Sequence, residues 1–178
     1  MGRSEFQSSK LEPNIIIDFL AEEIQADKLL KTLPRLSEEW SVQFKFKLTN
    51  GHTGLFFCCI FYMSSGFGAN IYGGRVPAIY FNRNNRLLFI DSPVSGNWMY
   101  RTVIPTMIEY NTEYSVEIHQ RYKSGGVYKY SILLNGQEIH STDNTQAQQF
   151  YDVMVYASNP HDTPCVGTIS DVKVTNFL

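Results

Sequence analysis

Residues 40–49, WSVQFKFKLT, alternate strictly between apolar and polar side chains. The apolar set comprises Trp40, Val42, Phe44, Phe46 and Leu48. Successive side chains of a β-strand point to opposite faces, so a period of two predicts a strand with one face in a core and the other in solvent. We therefore expect Trp40 and its four companions to be core residues.

Similar runs follow along most of the chain. Further strands are predicted over 54–63, 78–81, 86–91, 113–122, 127–134, 149–158 and 168–178. The run 54–63, GLFFCCIFYM, is apolar on both faces, which favours a central strand covered on both sides. The tetrad NRNN and the run SGG are turn sequences, and Asn135-Gly136 favours a type I′ hairpin turn because both positions tolerate positive φ.

Only residues 21–33, AEEIQADKLLKTL, suggest a helix, which Pro34 would end. Many short strands separated by turn sequences, with no interleaved helices, predict an all-β sandwich or barrel and exclude a parallel α/β fold. The composition, with 43% hydrophobic residues in a chain of 178, fits one domain, expected over 11–178.

Charge and hydropathy exclude two classes of partner. The formal net charge is −2, so the basic field that binds phosphate backbones is missing and nucleic acid is not an expected partner. No apolar run approaches the roughly 20 residues that cross a bilayer, so membrane insertion is not expected. Residues 1–10, MGRSEFQSSK, are polar; we expect a disordered expression scar that stands where a native signal peptide was removed, and an extracellular protein.

The three cysteines give no metal or disulfide pattern. Cys58 and Cys59 are adjacent, so in a strand they point to opposite faces, and Cys165 could pair with only one of them. An odd count without a CxxC motif argues against a zinc site and against a disulfide framework. We interpret all three as small buried hydrophobic residues rather than redox or metal ligands.

Several segments together carry a resemblance to a known superfamily. The run LPRLSEEWSVQFKFKLT is followed by GGRVPAIYF, LLFI, YSVEIHQRY with YKYSILLNGQEI, and FYDVMVYASNP with GTISDVKVTNF. This order resembles concanavalin A-like domains of the lectin/glucanase superfamily, including laminin G-like, pentraxin and galectin domains. The resemblance implies a two-sheet antiparallel jelly-roll sandwich, with ligand sites on a concave sheet or on rim loops; periodicity alone predicts only a sandwich.

The acidic residues do not form a catalytic pattern. Glycanases of this superfamily carry an E-x-D-x-(x)-E run, which places acids two residues apart on one face of a strand, and this run is missing here. Glu113 and Glu117 come nearest, with Glu109 upstream, but Glu113 and Glu117 would lie about 13 Å apart along a strand. The run SSGFG at 64–68 is not a nucleophile elbow. We expect a protein that is not an enzyme, with a glycoside hydrolase or lyase as a minor alternative.

Metal binding has little support in the sequence, although laminin G-like and pentraxin relatives often bind calcium. Calcium prefers six to eight converging oxygen ligands, and no D-x-[DN]-x-[DN] run is present. The scattered loop acids are interpreted as turn formers; they are Asp91, Asp143, Asp152, Asp162 and Asp171. The histidines are isolated, which does not favour zinc; they are His52, His119, His140 and His161. No cofactor is predicted, and calcium has no supporting motif.

Carbohydrate binding is the remaining chemistry. Sugar sites stack an aromatic ring on the apolar face of a pyranose and bracket its hydroxyls with polar side chains. The first candidate cluster is Asn97, Trp98, Tyr100 and Arg101, backed by Asn82, Arg83 and Asp91. The second is Asn70, Tyr72 and Arg75. Trp98 could instead plug the sandwich edge, and Arg75 could be a structural salt bridge or loop anchor. The galectin motifs H-x-N-x-R and W-x-x-E-x-R are missing, so no β-galactoside specificity is predicted.

Two functional hypotheses follow. The favoured one is a non-catalytic recognition module, a lectin or extracellular adhesion domain, whose partner is a glycan or glycoprotein. The alternative is a structural sandwich that forms homodimers through its edge strands. The 11 tyrosines and 12 phenylalanines exceed what a core of this size needs, and either hypothesis would use the surplus at a surface.

Overall fold

The computed structural model describes residues 13–51, 56–66 and 70–177, which form twelve strands and no helix. The strands are β1 (Pro13–Glu23), β2 (Lys28–Leu36), β3 (Trp40–Leu48), β4 (Phe57–Ser64), β5 (Ala78–Asn82), β6 (Leu87–Val94), β7 (Asn97–Ile104), β8 (Glu113–Ser124), β9 (Val127–Leu134), β10 (Gln137–Asn144), β11 (Phe150–Ala157) and β12 (Gly167–Phe177). Residues 1–10, expected to be an expression scar, lie outside the described residues, as does His52.

The strands form two six-stranded sheets. The first sheet has the order β1-β12-β3-β8-β9-β10, and the second has the order β2-β11-β4-β5-β6-β7. Every pairing between named strands is antiparallel. The expected all-β two-sheet sandwich is confirmed. Within the described residues there is no helix with the length and hydrophobicity of a membrane span.

The core lies between the sheets and follows the predicted alternation. The five apolar residues of β3 are at most 2% exposed, and Phe44 stacks on Phe61 of the opposite sheet with 4.9 Å between ring centroids. Such burial is the main favourable contribution to the free energy of folding. The period of two in β3 therefore identified the core face correctly.

Strand β4 is buried on both faces, as its unbroken apolar run predicts. Ile60 and Met63 belong to the core, whereas Cys59 and Tyr62 belong to a second buried cluster on the outer face of the second sheet, the face turned away from the core. The loop that follows β4 lies over this outer face, where the Tyr62 hydroxyl donates a hydrogen bond of 2.6 Å to the Gly74 carbonyl. Part of the outer face of the second sheet is therefore shielded from solvent.

The helix expected over 21–33 is wrong. These residues form the end of β1, a turn at Asp27 with φ of 55°, and most of β2. β1 pairs with β12 and β2 with β11, and Leu33 and Leu36 are fully buried in the sandwich. The pairing and burial outweigh the weak helix propensity of the segment. Pro34 is tolerated because β2 lies at the edge of its sheet.

The hairpin predictions are confirmed. Asn135 and Gly136 both have positive φ, 50° and 76°, between β9 and β10. Gly125 and Gly126, also at positive φ, connect β8 to β9. The tetrad NRNN lies in the turn between β5 and β6.

The interpretation of all three cysteines as small buried hydrophobic residues is wrong for two of them. Cys58 and Cys165 are bonded, and they close a loop with a sequence separation of 107. The prediction that adjacent cysteines face opposite sides is consistent with this bond, since Cys58 lies on the core face and Cys59 on the outer face. Cys59 is buried and unpaired, so one cysteine behaves as expected and the odd count does not exclude a bridge.

Candidate functional site

A pocket of about 410 Å³ opens on the outer face of the second sheet. Strands β4 to β7 form its floor, and the connection from β11 to β12 forms one wall. Its lining residues are Phe56, Phe57, Cys58, Arg75, Tyr80, Phe89, Arg101, His161, Asp162 and Thr163. This volume lies within the range of small-molecule sites.

Strand register places the floor residues side by side. Tyr80 of β5 lies directly between Cys59 of β4 and Phe89 of β6, and Asp91 of β6 lies opposite Arg101 of β7. Residues directly opposite one another in an antiparallel pair share a face. Phe89 and Asp91 are two positions apart on β6, so both side chains lie on the same face. Tyr80 and Phe89 form an aromatic row across the sheet. Next to it, Asp91 and Arg101, together with Arg75, form a charged row.

The charged row is an ion cluster around a buried carboxylate. Arg101 donates to both oxygens of Asp91, from Nε and Nη2, at 2.7 Å each, and Asp91 is fully buried. The Arg75 Nε lies 3.6 Å from Asp91 Oδ2. The hydrogen bond to Asp91 raises the pKa of Arg101. Burial alone would lower the pKa of Arg75, but a hydrogen bond to Tyr80 and the charge of Asp91 raise it overall. Both guanidinium groups are thus held charged.

Arg75 reaches the sheet from the loop between β4 and β5. Gly73 in this loop has φ of 97°, and a Cβ there would lie 2.5 Å from Ser65 Oγ and 2.7 Å from the Phe150 ring. Only glycine fits both the conformation and the space. The Arg75 guanidinium also lies 5.5 Å from the centroid of the Trp98 ring, within cation–π range.

Tyr80 lies between the aromatic and charged parts of the floor. It is 8% exposed, and burial raises the pKa of its hydroxyl well above the usual 10.0. The hydroxyl therefore stays protonated near neutral pH and can accept from Arg75 while it retains its own proton.

The aromatic part of the pocket is open to solvent. Phe56 and Phe57 are 66% and 44% exposed, and Phe57 packs edge-on against Phe89 with 5.3 Å between centroids. Neighbouring exposed aromatic rings are uncommon on a surface without a binding role. They give the pocket an apolar side next to its arginines.

The wall formed by residues 161–163 is fixed to β4. The Thr163 carbonyl accepts from the Cys59 amide at 2.9 Å, and the Cys165 amide donates to the Cys59 carbonyl at 3.0 Å. Asn159 shapes the turn before it, since its Oδ1 accepts from the amides of His161 and Asp162 and its Nδ2 donates to Asp162 Oδ2 at 2.6 Å. The Cys58–Cys165 disulfide lies beside this wall.

The structure brings Arg75 of the second candidate cluster together with Asp91 and Arg101 of the first, and Trp98 of the first cluster is adjacent. Their role in ligand binding stays a prediction. Tyr100 points to the inner side of the sheet, where it packs against Tyr130 and its hydroxyl lies 3.2 Å from His140 Nε2.

The other predicted residues lie apart from the pocket lining. Asn82 and Asn97 accept hydrogen bonds from the amides two residues on, so both shape turns. Arg83 follows β5, and its amide donates to the Phe56 carbonyl. The Tyr72 hydroxyl donates to the Gln146 carbonyl, and Asn70, in the same connection between β4 and β5, is exposed.

The acidic residues nearest to a catalytic pattern lie elsewhere. Glu113 and Glu117 are on β8 of the first sheet, and Glu109 pairs with Arg86. Among the described residues, no three histidine, cysteine, aspartate or glutamate side chains cluster as metal ligands. The pocket therefore offers hydrogen-bond donors, aromatic surface and one exposed acid.

Sequence reasoning missed the aromatic and wall residues. The sequence indicates Phe56 and Phe57 only as part of a buried run, and His161 and Asp162 only as isolated loop residues. One signal was accessible: the hairpin across NRNN predicts that β5 and β6 are neighbours, although only the structure gives the register that sets Tyr80 opposite Phe89. No local pattern indicates that residues 161–163 reach β4.

Comparison with known proteins rests on structure, because no protein-family model and no curated protein matches the sequence. A heptameric SAP-like pentraxin from Limulus polyphemus is similar with a TM-score of 0.56 and 15% identity over 92% of this chain and 76% of that one. An alginate lyase in complex with alginate tetrasaccharide is similar with a TM-score of 0.59 and 11% identity, over 90% of this chain and 81% of the lyase. The sialidase CBM40 of Ruminococcus gnavus, bound to α2,3-sialyllactose, is similar with a TM-score of 0.54 and 12% identity, over 90% of this chain and 93% of the CBM40 chain.

At these identities the likeness concerns the fold. The shared architecture spans lectins, carbohydrate-binding modules and polysaccharide lyases. It agrees with the two six-stranded sheets described above and with the resemblance of the sequence. This chain has the concanavalin A-like lectin/glucanase fold.

Proposed function

We propose that the protein is a non-catalytic carbohydrate-binding module whose site is the pocket on the outer face of the second sheet. The observation that carries this proposal is the adjacency of exposed aromatic rings and a fixed guanidinium within one pocket of about 410 Å³. Phe56, Phe57 and Phe89 offer surface for the apolar face of a sugar ring, and Arg101 offers donors for its oxygens. The saccharides bound by two similar structures support the same class of ligand.

The site suits binding better than bond cleavage. A catalytic base needs a pKa near the working pH, and burial moves the pKa of Tyr80 in the opposite direction. Asp91, the buried acid of the charged row, has both oxygens occupied by Arg101. Lyase or hydrolase activity is thus the weaker hypothesis, and incubation with a polysaccharide panel tests it through release of reducing ends or unsaturated products.

The disulfide bears on where such a module would work. Structural disulfides persist mainly in oxidising compartments, and the Cys58–Cys165 bond is compatible with secretion. We extend the proposal to an extracellular protein that meets glycans or glycoproteins outside the cell.

Self-association is the second candidate. β7 lies at the edge of the second sheet and exposes Val103, which is 46% exposed and pairs with Phe89 across the strands. An exposed strand edge next to apolar side chains is a ready surface for strand pairing with another copy. Multi-angle light scattering distinguishes the candidates, because a stable dimer that binds no glycan favours self-association and a glycan-binding monomer favours the module.

A glycan array tests the main proposal. The wild-type protein should bind a defined set of glycans, and Phe57→Ala should lose about five- to thirtyfold in affinity because a stacking ring contributes roughly 1–2 kcal/mol. Tyr151→Ala removes a ring that is 60% exposed outside the pocket and serves as the matched control. Absence of binding to any glycan, or equal losses in both variants, would contradict the proposal.

A further inference from the structure

The charges around the pocket identify a ligand class within the proposed function, on which this inference rests. Arg75 and Arg101 share one buried carboxylate, Asp91, so the charged row has one positive charge in excess. Arg101 uses Nε and Nη2 for Asp91, which leaves its other terminal nitrogen to donate. Its side chain is 41% exposed.

The arginines are also preorganised. A guanidinium fixed by two charge-assisted hydrogen bonds loses little side-chain entropy when it binds a second anion. Arg75 is anchored by Tyr80 and by the Trp98 ring, at 5.5 Å from the guanidinium. The charged row therefore presents fixed donors next to the exposed ring of Phe57 and the half-buried ring of Phe89.

The opposite wall carries the counter-charge. Asp162 is exposed there, and its Oδ2 accepts from Asn159. An anionic group in the pocket gains from the arginines and is repelled by Asp162. A neutral sugar would use Asp162 as a hydrogen-bond acceptor instead. The two ligand classes thus predict opposite effects for the same substitution.

We propose that the pocket selects saccharides that carry a carboxylate, with the acid on the Arg101 side and the sugar ring on the phenylalanines. Neutral sugars of the same size would lack the charge-assisted hydrogen bonds. The specificity then comes from the fixed guanidinium of Arg101, whose remaining terminal nitrogen faces the ligand, rather than from the aromatic surface.

An array that pairs uronate and sialic acid oligosaccharides with their methyl esters tests the inference. At least one acid should bind about tenfold or more tightly than its ester, since the ester removes the charge and leaves the ring intact. Esters bound as well as acids, or binding confined to neutral glycans, would overturn the inference and leave the proposed function intact. No binding to any glycan would overturn both.

Two substitutions that should change the affinity in opposite directions give a second test, measured with the acidic saccharide that binds best. Asp162→Asn should tighten binding about threefold, because it removes a repulsive charge and keeps an acceptor for Asn159. Arg101→Gln should weaken binding about tenfold or more. The double variant Asp91→Asn/Arg101→Gln, which buries no unpaired acid, should show the same loss if Arg101→Gln is poorly folded. Arg35→Gln, exposed on β2 outside the pocket, is the control. Weaker acid binding by Asp162→Asn would contradict the inference.

Discussion

Asp91 of β6 is fully buried, and Arg101 of β7, which lies opposite it in the sheet, donates to both of its oxygens at 2.7 Å. Arg75 approaches the same carboxylate to 3.6 Å. Burial of a charge is costly unless the charge is paired and hydrogen-bonded. The cluster is thus part of the folded structure and part of the proposed site at once.

The first prediction concerns the stability of this cluster. Arg101→Ala should lower the free energy of unfolding by about 2 kcal/mol or more, because Asp91 loses both charge-assisted hydrogen bonds in a buried position. Asp91→Asn/Arg101→Gln should recover part of the loss. Urea denaturation measures both. An Arg101→Ala variant as stable as the wild type would show that Asp91 does not depend on this pair.

The second prediction concerns the disulfide. Replacement of Cys58 and Cys165 by alanine should cost on the order of 3–5 kcal/mol, because the bridge closes a loop with a sequence separation of 107. The wall at 161–163 should then exchange its amide hydrogens faster, and Cys59→Ala, which keeps the bridge, is the control. Alkylation of the unfolded protein should label one cysteine without reductant and all three after reduction. Three labelled cysteines without reductant would contradict the bond.

The third prediction concerns alkaline pH. Burial raises the pKa of Tyr80 and of Tyr130 above the usual 10.0. Above pH 10.0 the unfolded chain releases protons that the folded chain keeps, so stability should fall as the pH rises beyond that value. Below it, these two groups should contribute no pH dependence.

The ultraviolet absorbance of tyrosinate checks this behaviour. A fraction of the 11 tyrosines should ionise only together with loss of the folded state. Tyr130→Phe should reduce that fraction, although it also removes the contact of 2.8 Å between the Tyr130 hydroxyl and Ser92 Oγ. Ionisation of every tyrosine near pH 10.0 in the folded protein would rule this account out.

The fourth prediction concerns Trp98. It is half-buried and belongs to neither hydrophobic cluster, and its ring contacts the guanidinium of Arg75. Trp98→Ala should weaken saccharide binding severalfold by releasing Arg75, with little change in melting temperature. Trp98→Phe should keep most of the affinity. A large fall in melting temperature would instead assign Trp98 to the packing of the sandwich edge.

The fold was predictable to the extent that local patterns decide it. The alternation in β3 identified the core face, and Asn135-Gly136 identified a hairpin, because side-chain period and turn conformation are local properties. The helix prediction for 21–33 was wrong because pairing with β11 and β12 overrides the local helix propensity of this segment. The Cys58–Cys165 bond was not predicted for the same reason, because it joins residues that are distant in sequence.

The site was predictable only in part. Arg75, Asp91 and Arg101 stood out as polar residues near aromatic ones, but their contact depends on the register of β5 to β7 and on the loop that carries Arg75. The exposed Phe57 looked like a core residue because hydrophobicity does not reveal which end of a buried strand reaches solvent. A single sequence does not contain this information.

The proposed function requires that a saccharide binds in the pocket on the outer face of the second sheet. Titration of isotope-labelled protein with the saccharide that the array identifies, followed through the amide chemical shifts, locates the bound ligand. We expect the largest shifts at Phe57, Tyr80, Phe89, Arg101 and His161. Shifts confined to the first sheet, for example at Lys45 and Lys173, would place the site elsewhere and contradict the account.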